Sequence, residues 1–325
     1  MRAAWYTVQG PAADTLTVGE LPDPSPGPGE VRVRLRFSGV NPGDIKKRQG
    51  WLGSSMPYPR VIPHSDGAGV IDAVGDGVPP ERMGRRVWVY GAQSYRPFGT
   101  AAEYTVVPDL QAVDLPDGVS DEVGATLGIP GITAHRAVFA DGEVAGHTVL
   151  VQGALGAVGS FAWQLALAGG ATVIATVRRG PVPEGLGIPV VALDGADAAE
   201  RIRELAPGGV DRIIEVSLSD NADLDSKAIA PNGVIAAYGS SDGRPTLPFW
   251  PLLFDNVTLR LFGSDDFPPA AKTEAATMLS RVASTGQLHP TIRLIEPLER
   301  IASAHAAVEN SHALGRVLVS LPEVP

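Results

Sequence analysis

The first 120 residues alternate short apolar runs with turn-forming residues. Between residues 31 and 37 apolar and basic side chains alternate, which is the period of a half-buried strand. The connector 21–30 (LPDPSPGPGE) is too rich in proline to pair inside a sheet. Other short strand candidates, each bounded by Gly or Pro, are residues 1–8, 67–75, 85–91 and 100–108. Short strands so closely spaced predict a compact, β-barrel-like domain.

The pattern changes near Ser120. Helical spacing begins there, with Ser120 as a candidate N-cap and Pro130 as a break between two helices. After His147 the chain reads as strand, glycine turn, helix and strand. The segments concerned are helices 120–129 and 131–140, strand 148–153, helix 154–170, and strands 171–177, 211–217, 233–240 and 257–264. This rhythm predicts a doubly wound parallel sheet.

The last 60 residues combine predicted helices with one more strand. Helices are expected over 268–286 and 298–310, followed by a strand over 315–321 that we expect to rejoin the first domain. We therefore predict an α/β chain whose first, β-rich domain comprises residues 1–122 and 265–325 and whose second, doubly wound domain comprises residues 123–264.

Composition narrows the function. The 325 residues carry 36 acidic and 26 basic side chains, a net charge of −10, which argues against a nucleic-acid-binding surface. The chain has no cysteine, so thiolate nucleophiles, disulfides and cysteine-bound metals are excluded. No apolar run approaches the roughly 20 residues that span a bilayer, and Met1-Arg2-Ala3 does not resemble the start of a signal peptide. We expect a cytoplasmic protein without a membrane partner.

The central motif is a glycine turn, GALGAVG, directly after an apolar strand. A dinucleotide site needs a tight turn, close backbone approach to the pyrophosphate and a helix N-terminus aimed at it. Its backbone candidates are Gly153, Ala154, Leu155, Gly156, Ala157 and Val158. The alternative is a plain strand-to-helix turn without a ligand.

Nucleotide preference is encoded at the end of the next strand. An NAD site places a carboxylate about 20 residues past the glycine turn. Here Val177 is followed by Arg178 and Arg179. Guanidinium groups bind a 2′-phosphate through charge-assisted hydrogen bonds, so we predict NADPH as the cofactor. The alternative is a pair of solvated surface arginines.

These motifs make the chain resemble the zinc-independent quinone oxidoreductases, the zeta-crystallin-like branch of the medium-chain dehydrogenase/reductase superfamily. The matching segments are GVNPGDIKKRQG (39–50), PHSDGAGVIDAVG (63–75), LGIPGITAHRAV (127–138), the glycine turn and Gly315-Arg316-Val317. The resemblance implies a GroES-like β-barrel catalytic domain, a Rossmann domain with a parallel sheet, and a cleft between them for NADPH. It also implies a homodimer, for which pairing of an edge strand near 257–262 is a candidate contact.

The resemblance implies roles for individual residues. Asn41 and Thr133 would lie beside the nicotinamide and Asp44 at the mouth of the substrate pocket, which makes these three the candidate catalytic residues. Read from the sequence alone, they equally fit a turn-capping Asn, a helix Thr bonded to its own backbone and an Asp in a first helical turn. Further cofactor contacts are expected from Thr176, Val216, Ser217, Tyr238, Gly239, Ser240, Phe262, Gly263, Ser264 and Arg316, and substrate contacts from Trp51, Tyr58 and His64.

The resemblance also bears on metal. Zinc-containing relatives have Cys at the position of Asn41 and His at that of Ser65, and His64 lies one residue away from the ligand position. We therefore expect the protein to bind no catalytic metal.

The chain departs from the family pattern at Leu155 and Ala157, which replace smaller residues in the glycine turn. Proline at 181, 183 and 189 predicts that the helix after Arg179 is shortened or lost.

A site without metal can pass hydride to an acceptor that is already conjugated, with positioning and desolvation supplying most of the rate. The function expected is NADPH-dependent reduction of a conjugated small molecule, in first place a quinone. The first alternative is an enone or alkenal double-bond reductase, and a non-catalytic NADPH-binding, crystallin-like protein is the alternative of another class.

Overall fold

The computed structural model describes residues 1–182, 185–310 and 314–322. The chain divides into two compact units. The first unit is Met1–Pro130 together with Ala276–Pro325, and the second unit is Gly131–Ala275. These boundaries lie 8 and 11 residues after the expected ones at 122 and 264.

Strands and helices are numbered here in chain order. The strands are β1 (Arg2–Trp5), β2 (Thr17–Glu20), β3 (Glu30–Val40), β4 (Asp66–Val74), β5 (Arg86–Val89), β6 (Tyr104–Pro108), β7 (Ala112–Asp114), β8 (Thr148–Val151), β9 (Thr172–Val177), β10 (Val190–Ala192), β11 (Val210–Glu215), β12 (Ile229–Ala237), β13 (Thr258–Leu261), β14 (Ile292–Pro297) and β15 (Arg316–Ser320). The α-helices are α1 (Ala12–Thr15), α2 (Pro42–Gln49), α3 (Asp121–Gly124), α4 (Ile132–Phe139), α5 (Ala157–Ala168), α6 (Ala198–Leu205), α7 (Leu218–Ala228), α8 (Phe249–Phe254), α9 (Pro269–Ser284) and α10 (Ile301–Glu309).

The second unit contains a six-stranded sheet in the order β10-β9-β8-β11-β12-β13, with every neighbouring pair parallel. This is the doubly wound order, in which the direction of winding reverses between β8 and β11. Apolar residues such as Leu150, Ile174 and Ile213 fill its core. These strands are continuous apolar runs because helices cover a parallel sheet on both faces. The predicted Rossmann sheet is confirmed.

The first unit is built on a mainly antiparallel sheet in the order β14-β15-β3-β4-β5-β7, with β6 also paired to β3. Along β3 the side chains of Val31, Val33 and Leu35 are buried while the intervening arginines are half-exposed, which confirms the predicted alternation. Strand β15 pairs antiparallel with β3, with Val317 opposite Val40. Strand β15 therefore belongs to the sheet of the first unit.

The helix predicted over 120–129 is shorter in the structure. Ser120 caps α3 as predicted, since its hydroxyl accepts the Val123 N–H. The helix ends at Gly124, and Gly128 leaves helical geometry at ψ −113°. A Cβ at Gly128 would lie 2.1 Å from Asp66 Oδ1, so the chain passes the carboxylate closely and only glycine fits. Pro130 lies in the π-helical turn that follows.

The segment after Arg179 contains no helix in the described residues 179–182 and 185–189, in agreement with the proline-based expectation. Pro183 lies outside the described residues. Among the helices of the described ranges, none is long and apolar enough to span a bilayer.

Candidate cofactor and acceptor sites

The glycine turn joins β8 to α5. Gly153 has φ +62°, in the left-handed region that favours glycine. A Cβ at Gly159 would lie 2.3 Å from the Gly153 carbonyl oxygen, so the helix packs on the turn only with glycine there. Gly156 is the N-cap of α5 and offers no capping side chain. The first-turn N–H groups therefore point out of the helix end, and the geometry fits a pyrophosphate.

Thr176 lies beneath this turn and not at its surface. Its hydroxyl accepts the Gly153 N–H at 3.3 Å and donates to Gln152 Oε1. Gln152 Nε2 in turn donates to Asp225 Oδ1 at 2.9 Å. Gln152, Thr176 and Asp225 are fully buried, so this network fixes the turn from the protein side.

A buried pair of acids, which the sequence analysis did not single out, ends this network. Burial raises the pKa of Glu215, and burial together with the Glu215 charge raises the pKa of Asp225 well above its usual value. Asn221 donates to both Glu215 oxygens, at 3.0 and 3.1 Å. The only signal in the sequence was an acid closing the apolar run of β11.

Arg178 and Arg179 follow β9 and are exposed. An acidic partner lies near them. Hydrogen bonds from Ser217 and Ser241, and a weaker attraction to Arg178, lower the pKa of Asp220. The Ser241 hydroxyl donates to Asp220 Oδ1 at 2.8 Å. An anion that binds Arg178 therefore competes with the Asp220 carboxylate.

The remaining candidates of the second unit follow the other parallel strands at the same edge. Val216 and Ser217 follow β11, and Phe262 directly follows β13 and precedes Gly263 and Ser264. Tyr238, Gly239 and Ser240 follow β12. Ligands of doubly wound sheets bind at this carboxyl edge. Thr133 lies in α4 and is buried. Apart from Thr133, the sequence-predicted cofactor residues of this unit thus gather along one edge of the sheet. The contact of all these residues with a cofactor stays a prediction.

Asn41 belongs to the first unit, where it is the N-cap of α2. Its backbone N–H donates to Asp44 Oδ2 at 2.7 Å. Its side-chain Nδ2 donates to Asp66 Oδ2 at 2.7 Å, and its Oδ1 accepts from Arg316 Nη1 at 2.8 Å. Because Arg can only donate and a carboxylate can only accept, the orientation of the amide is fixed. One N–H of Asn41 is left without a partner among the described residues.

Asp66 and Arg316 form the buried ion pair behind Asn41. Their side chains are 0% and 2% exposed, and Arg316 Nη2 lies 3.4 Å from Asp66 Oδ2. Asp66 Oδ1 also accepts the Ile129 N–H at 2.8 Å. Arg316, expected as a cofactor contact, is thus placed where it holds Asn41, and Asp66 is a positioning residue that the sequence analysis did not identify.

Asp44 is a buried carboxyl with an unusual acidity. Burial raises its pKa to about 7, although the nearby Lys47 and the Asn41 N–H act in the opposite direction. The side chain is 3% exposed. A carboxyl group with this pKa is partly protonated at neutral pH.

His64 lies in a buried chain of hydrogen bonds. Its Nε2 lies 2.9 Å from His305 Nε2, and its Nδ1 lies 2.8 Å from Ser38 Oγ. Arg48 Nε donates to His305 Nδ1 at 3.3 Å. Both nitrogens of His64 are therefore occupied and its side chain is fully buried, so in this structure His64 presents no ring nitrogen to a substrate.

The positions of the ring protons of His305 and His64 follow from their hydrogen-bond partners. Since His305 Nδ1 accepts, its Nε2 carries the proton and donates to His64, whose Nδ1–H then donates to Ser38. Burial, with a smaller effect of the Arg48 charge, lowers the pKa of His305 to about 3. Burial, followed by His305 and Arg316, lowers the pKa of His64 well below its usual value. Both rings are neutral in the folded protein.

We expect acid to destabilise the protein through this pair. The unfolded chain takes up protons near the ordinary histidine pKa of 6.5 while the folded chain does not, so stability falls as pH drops below 6.5. For His305 alone the loss between pH 7 and pH 5 is about 2 kcal/mol. Urea titrations of the protein and of His305→Gln at both pH values measure it, and the variant should lose about 2 kcal/mol less.

The raised pKa of Asp44 has the opposite effect on the pH dependence of stability, because it favours the folded protein as the pH falls. Both the wild type and His305→Gln contain Asp44, so its contribution cancels when their free energies of unfolding are compared. His289→Gln is the matched control, because His289 is exposed. Equal pH dependence of the wild type and His305→Gln would contradict the assignment of a neutral histidine pair.

Two other substrate candidates lie at the surface of the first unit. Trp51 is 49% exposed, with Lys46 Nζ 4.2 Å from the centre of its ring. Tyr58 is half-buried and its hydroxyl donates to the Tyr95 carbonyl oxygen at 2.5 Å. Both remain candidates for acceptor contacts.

The residues at the zinc-ligand positions of zinc-containing relatives do not suit zinc. Asn41 offers an amide whose oxygen already accepts from a guanidinium, and Ser65 offers a buried hydroxyl. Zinc prefers thiolate, imidazole and carboxylate ligands. Across residues 1–182, 185–310 and 314–322, no three His, Asp or Glu side chains form a group that could hold a metal ion.

Comparison with known proteins agrees with this architecture. The chain matches the alcohol dehydrogenase GroES-like domain over residues 27–117 and the zinc-binding dehydrogenase family over residues 157–280. Human quinone oxidoreductase is 31% identical over 299 residues, covering 87% of this chain and 86% of the human protein. A crystal structure of an NAD-dependent alcohol dehydrogenase is 29% identical, with a TM-score of 0.88 over 99% of this chain and 100% of the other. A mycobacterial protein solved with NADPH is 26% identical, with a TM-score of 0.84 over 98% and 99%.

The fold, the glycine turn and these matches define an oxidoreductase of the medium-chain dehydrogenase/reductase superfamily. Within it the chain belongs to the quinone oxidoreductase family and is a quinone oxidoreductase-like enzyme. The family expected from the sequence motifs is confirmed.

Proposed function

We propose that the protein is an NADPH-dependent, metal-independent reductase of conjugated acceptors, in first place quinones. One observation carries the cofactor assignment: two arginines, and no acid, directly follow β9. The similar solved structures do not decide between NADH and NADPH, since one is described as NAD-dependent and another was solved with NADPH. A carboxylate at this position would repel a 2′-phosphate, whereas guanidinium groups bind it.

The proposed roles follow from the groups that each residue offers. The turn at Gly153–Gly156 and the N-terminus of α5 bind the pyrophosphate, and Arg178 and Arg179 bind the 2′-phosphate. When bound, NADPH supplies the hydride. Asn41 is held rigidly by Asp66 and Arg316, so its remaining N–H is a fixed donor for an acceptor oxygen that gains negative charge. We assign Thr133 to the nicotinamide side.

We infer the acceptor class from the hydrogen-bond donors that the described residues offer at this site. Asn41 donates only a neutral hydrogen bond, and the donors at the zinc positions do not suit zinc. Such a site reduces acceptors whose double bonds already delocalise the incoming charge, whereas a saturated ketone needs a Lewis acid or strong proton donor to polarise its oxygen. Quinones and α,β-unsaturated carbonyls both qualify, and the name of the human relative favours quinones.

A panel of acceptors tests the proposal. With NADPH held constant, we expect oxidation with 1,4-benzoquinone or 9,10-phenanthrenequinone, less with an alkyl enone, and background rates with a saturated ketone. Absorbance of NADPH reports each rate, and dialysis against a zinc chelator should change none of them. Turnover of the saturated ketone alone would contradict the proposal. A preference for the enone would make the protein a double-bond reductase, and tight NADPH binding without turnover would indicate a non-catalytic protein.

We also propose that the protein forms a homodimer through the second unit. Strand β13 ends the sheet order on one side, and its Leu261 is 68% exposed. Phe249, Trp250 and Phe254 of α8 are also exposed, at 61%, 63% and 75%. Exposed apolar side chains next to an open edge strand favour self-association. Light scattering after gel filtration should give twice the mass of the chain, and a monomer would exclude this dimer. Location in the cytoplasm remains a prediction from the sequence.

A further inference from the structure

Two acids, Glu215 at the end of β11 and Asp225 in α7, meet at the far end of the hydrogen-bond network beneath the glycine turn. Both are fully buried, and their side chains are within hydrogen-bonding reach of each other. Neither acid has a lysine, arginine or histidine as an ion-pair partner in the described part of the chain. Two buried carboxylates without a cation repel each other strongly, so the pair is more stable when one of the two carries a proton.

The hydrogen-bond partners of the two acids indicate which one holds the proton. Glu215 accepts from the Ser217 N–H and from the side-chain amide of Asn221. Asp225 Oδ1 accepts from Gln152 Nε2 at 2.9 Å, whereas Asp225 Oδ2 is buried and accepts from no donor among the described residues. An ionised carboxylate can only accept, so its second oxygen would be left unpaired here. A neutral Asp225 resolves this, because its O–H donates to Glu215.

Asp225 also sets the direction of every hydrogen bond between it and the glycine turn. Because Gln152 directs its Nε2 to Asp225, its Oε1 faces Thr176 and accepts the Thr176 hydroxyl. The Thr176 oxygen in turn accepts the Gly153 N–H at 3.3 Å. Gly153 is the first glycine of the turn and has φ +62°. The hydrogen-bonding state of Asp225 is therefore transmitted to the backbone of the turn.

We propose that Glu215 and Asp225 share one proton, and that neutral Asp225 is a positioning residue for the cofactor-binding turn. It orients Gln152 and, through Gln152, the hydroxyl of Thr176 that holds the Gly153 N–H. The turn then keeps the shape that receives the pyrophosphate. This inference rests on the proposed function, in which the turn binds that group, and is independent of the preference for NADPH because NADH carries the same pyrophosphate.

Infrared spectroscopy of the protein without cofactor tests the shared proton. The C=O stretching band of a neutral carboxyl group is separate from the carboxylate bands. At neutral pH the difference spectrum between the wild type and Asp225→Asn should contain this band. Asp223→Asn is the matched control, since Asp223 is exposed on the same helix, and it should change carboxylate bands alone. A difference spectrum of Asp225→Asn that contains only carboxylate bands would overturn the proposal.

Cofactor binding tests the positioning role. Asp225→Asn keeps a donor to Glu215 and an acceptor for Gln152, so the Kd of NADPH should stay within about twofold of the wild type. Asp225→Leu has a similar volume but breaks the network, and the Kd of NADPH and of NADH should each rise about tenfold. The value of kcat should be nearly unchanged, because the lost interaction affects binding and not the hydride step. Fluorescence titrations and initial rates measure these quantities.

A second variant reaches the same network at its other end. Thr176→Val removes the acceptor of the Gly153 N–H, so it should weaken both cofactors as Asp225→Leu does, and the double variant should be no weaker than either alone. The positioning role is overturned if Asp225→Leu or Thr176→Val binds both cofactors like Asp223→Asn, or if Asp225→Asn loses as much affinity as Asp225→Leu. A wild type that binds neither cofactor would refute the proposed function and with it the positioning role, while the infrared spectra decide on the shared proton by themselves.

Discussion

Replacing Arg316 with methionine is expected to lower the free energy of unfolding by about 3–5 kcal/mol. Arg316 is 2% exposed and lies against Asp66, which is fully buried. The variant keeps a long apolar side chain but leaves the Asp66 carboxylate without its counter-charge, and a buried unpaired charge is strongly destabilising. It also removes the donor that holds Asn41 Oδ1. Chemical denaturation followed by circular dichroism measures the loss.

An ion pair with an exposed arginine provides the control. Arg300 is 65% exposed, and its Nε lies 3.2 Å from Oε2 of Glu296, whose side chain is 9% exposed and also accepts the Ser303 hydroxyl at 3.0 Å. Arg300→Met should cost less than Arg316→Met, because water screens the exposed guanidinium and Glu296 keeps the Ser303 hydrogen bond. Adding Asp66→Asn to Arg316→Met should restore part of the stability, since it removes the unpaired charge. If Arg316→Met costs no more than Arg300→Met, the buried pair does not have the role given to it here.

The fold was predictable where periodicity was strong. Strand β9 was expected over 171–177 and spans Thr172–Val177, and β3 begins one residue before the expected strand. Continuous apolar runs and strict alternation both report burial directly. Helix α8, with the sequence FWPLLF, was not predicted, because six residues without a polar face carry no helical period. Helices α6 and α7 were not predicted either, although Asp197 and Ser217 occupy their N-cap positions.

Only those parts of the candidate site that consist of residues adjacent in the sequence were predictable. The glycine turn and the arginines after β9 are contiguous with their strands, so the sequence shows them directly. The partners of Asn41 are not local: Arg316 lies 275 residues away along the chain. His64 likewise depends on His305, 241 residues away. A residue's hydrogen-bond partners across a sheet have no periodic signature, so the positioning role of Asp66 required the structure.

Removal of both arginines after β9 is expected to separate the two nicotinamide cofactors. The variant Arg178→Ala/Arg179→Ala should lower kcat/KM for NADPH about 100-fold, which corresponds to about 2.7 kcal/mol of lost binding to the 2′-phosphate. The value for NADH should stay within about twofold, because NADH lacks that phosphate. Initial rates with one quinone and each cofactor in turn measure the effect.

A substitution of Asp220 provides a second test of the 2′-phosphate site. Asp220 is held by Ser217 and Ser241 and attracts Arg178, so it competes with the phosphate for the guanidinium. Asp220→Asn should therefore improve kcat/KM for NADPH several-fold and leave NADH nearly unchanged, the opposite of the arginine variant. Arg293→Ala, at an exposed position in β14, should alter neither cofactor. Equal losses for NADPH and NADH in the double variant would contradict a 2′-phosphate site at Arg178 and Arg179, and would leave the nucleotide preference to other residues along the same sheet edge.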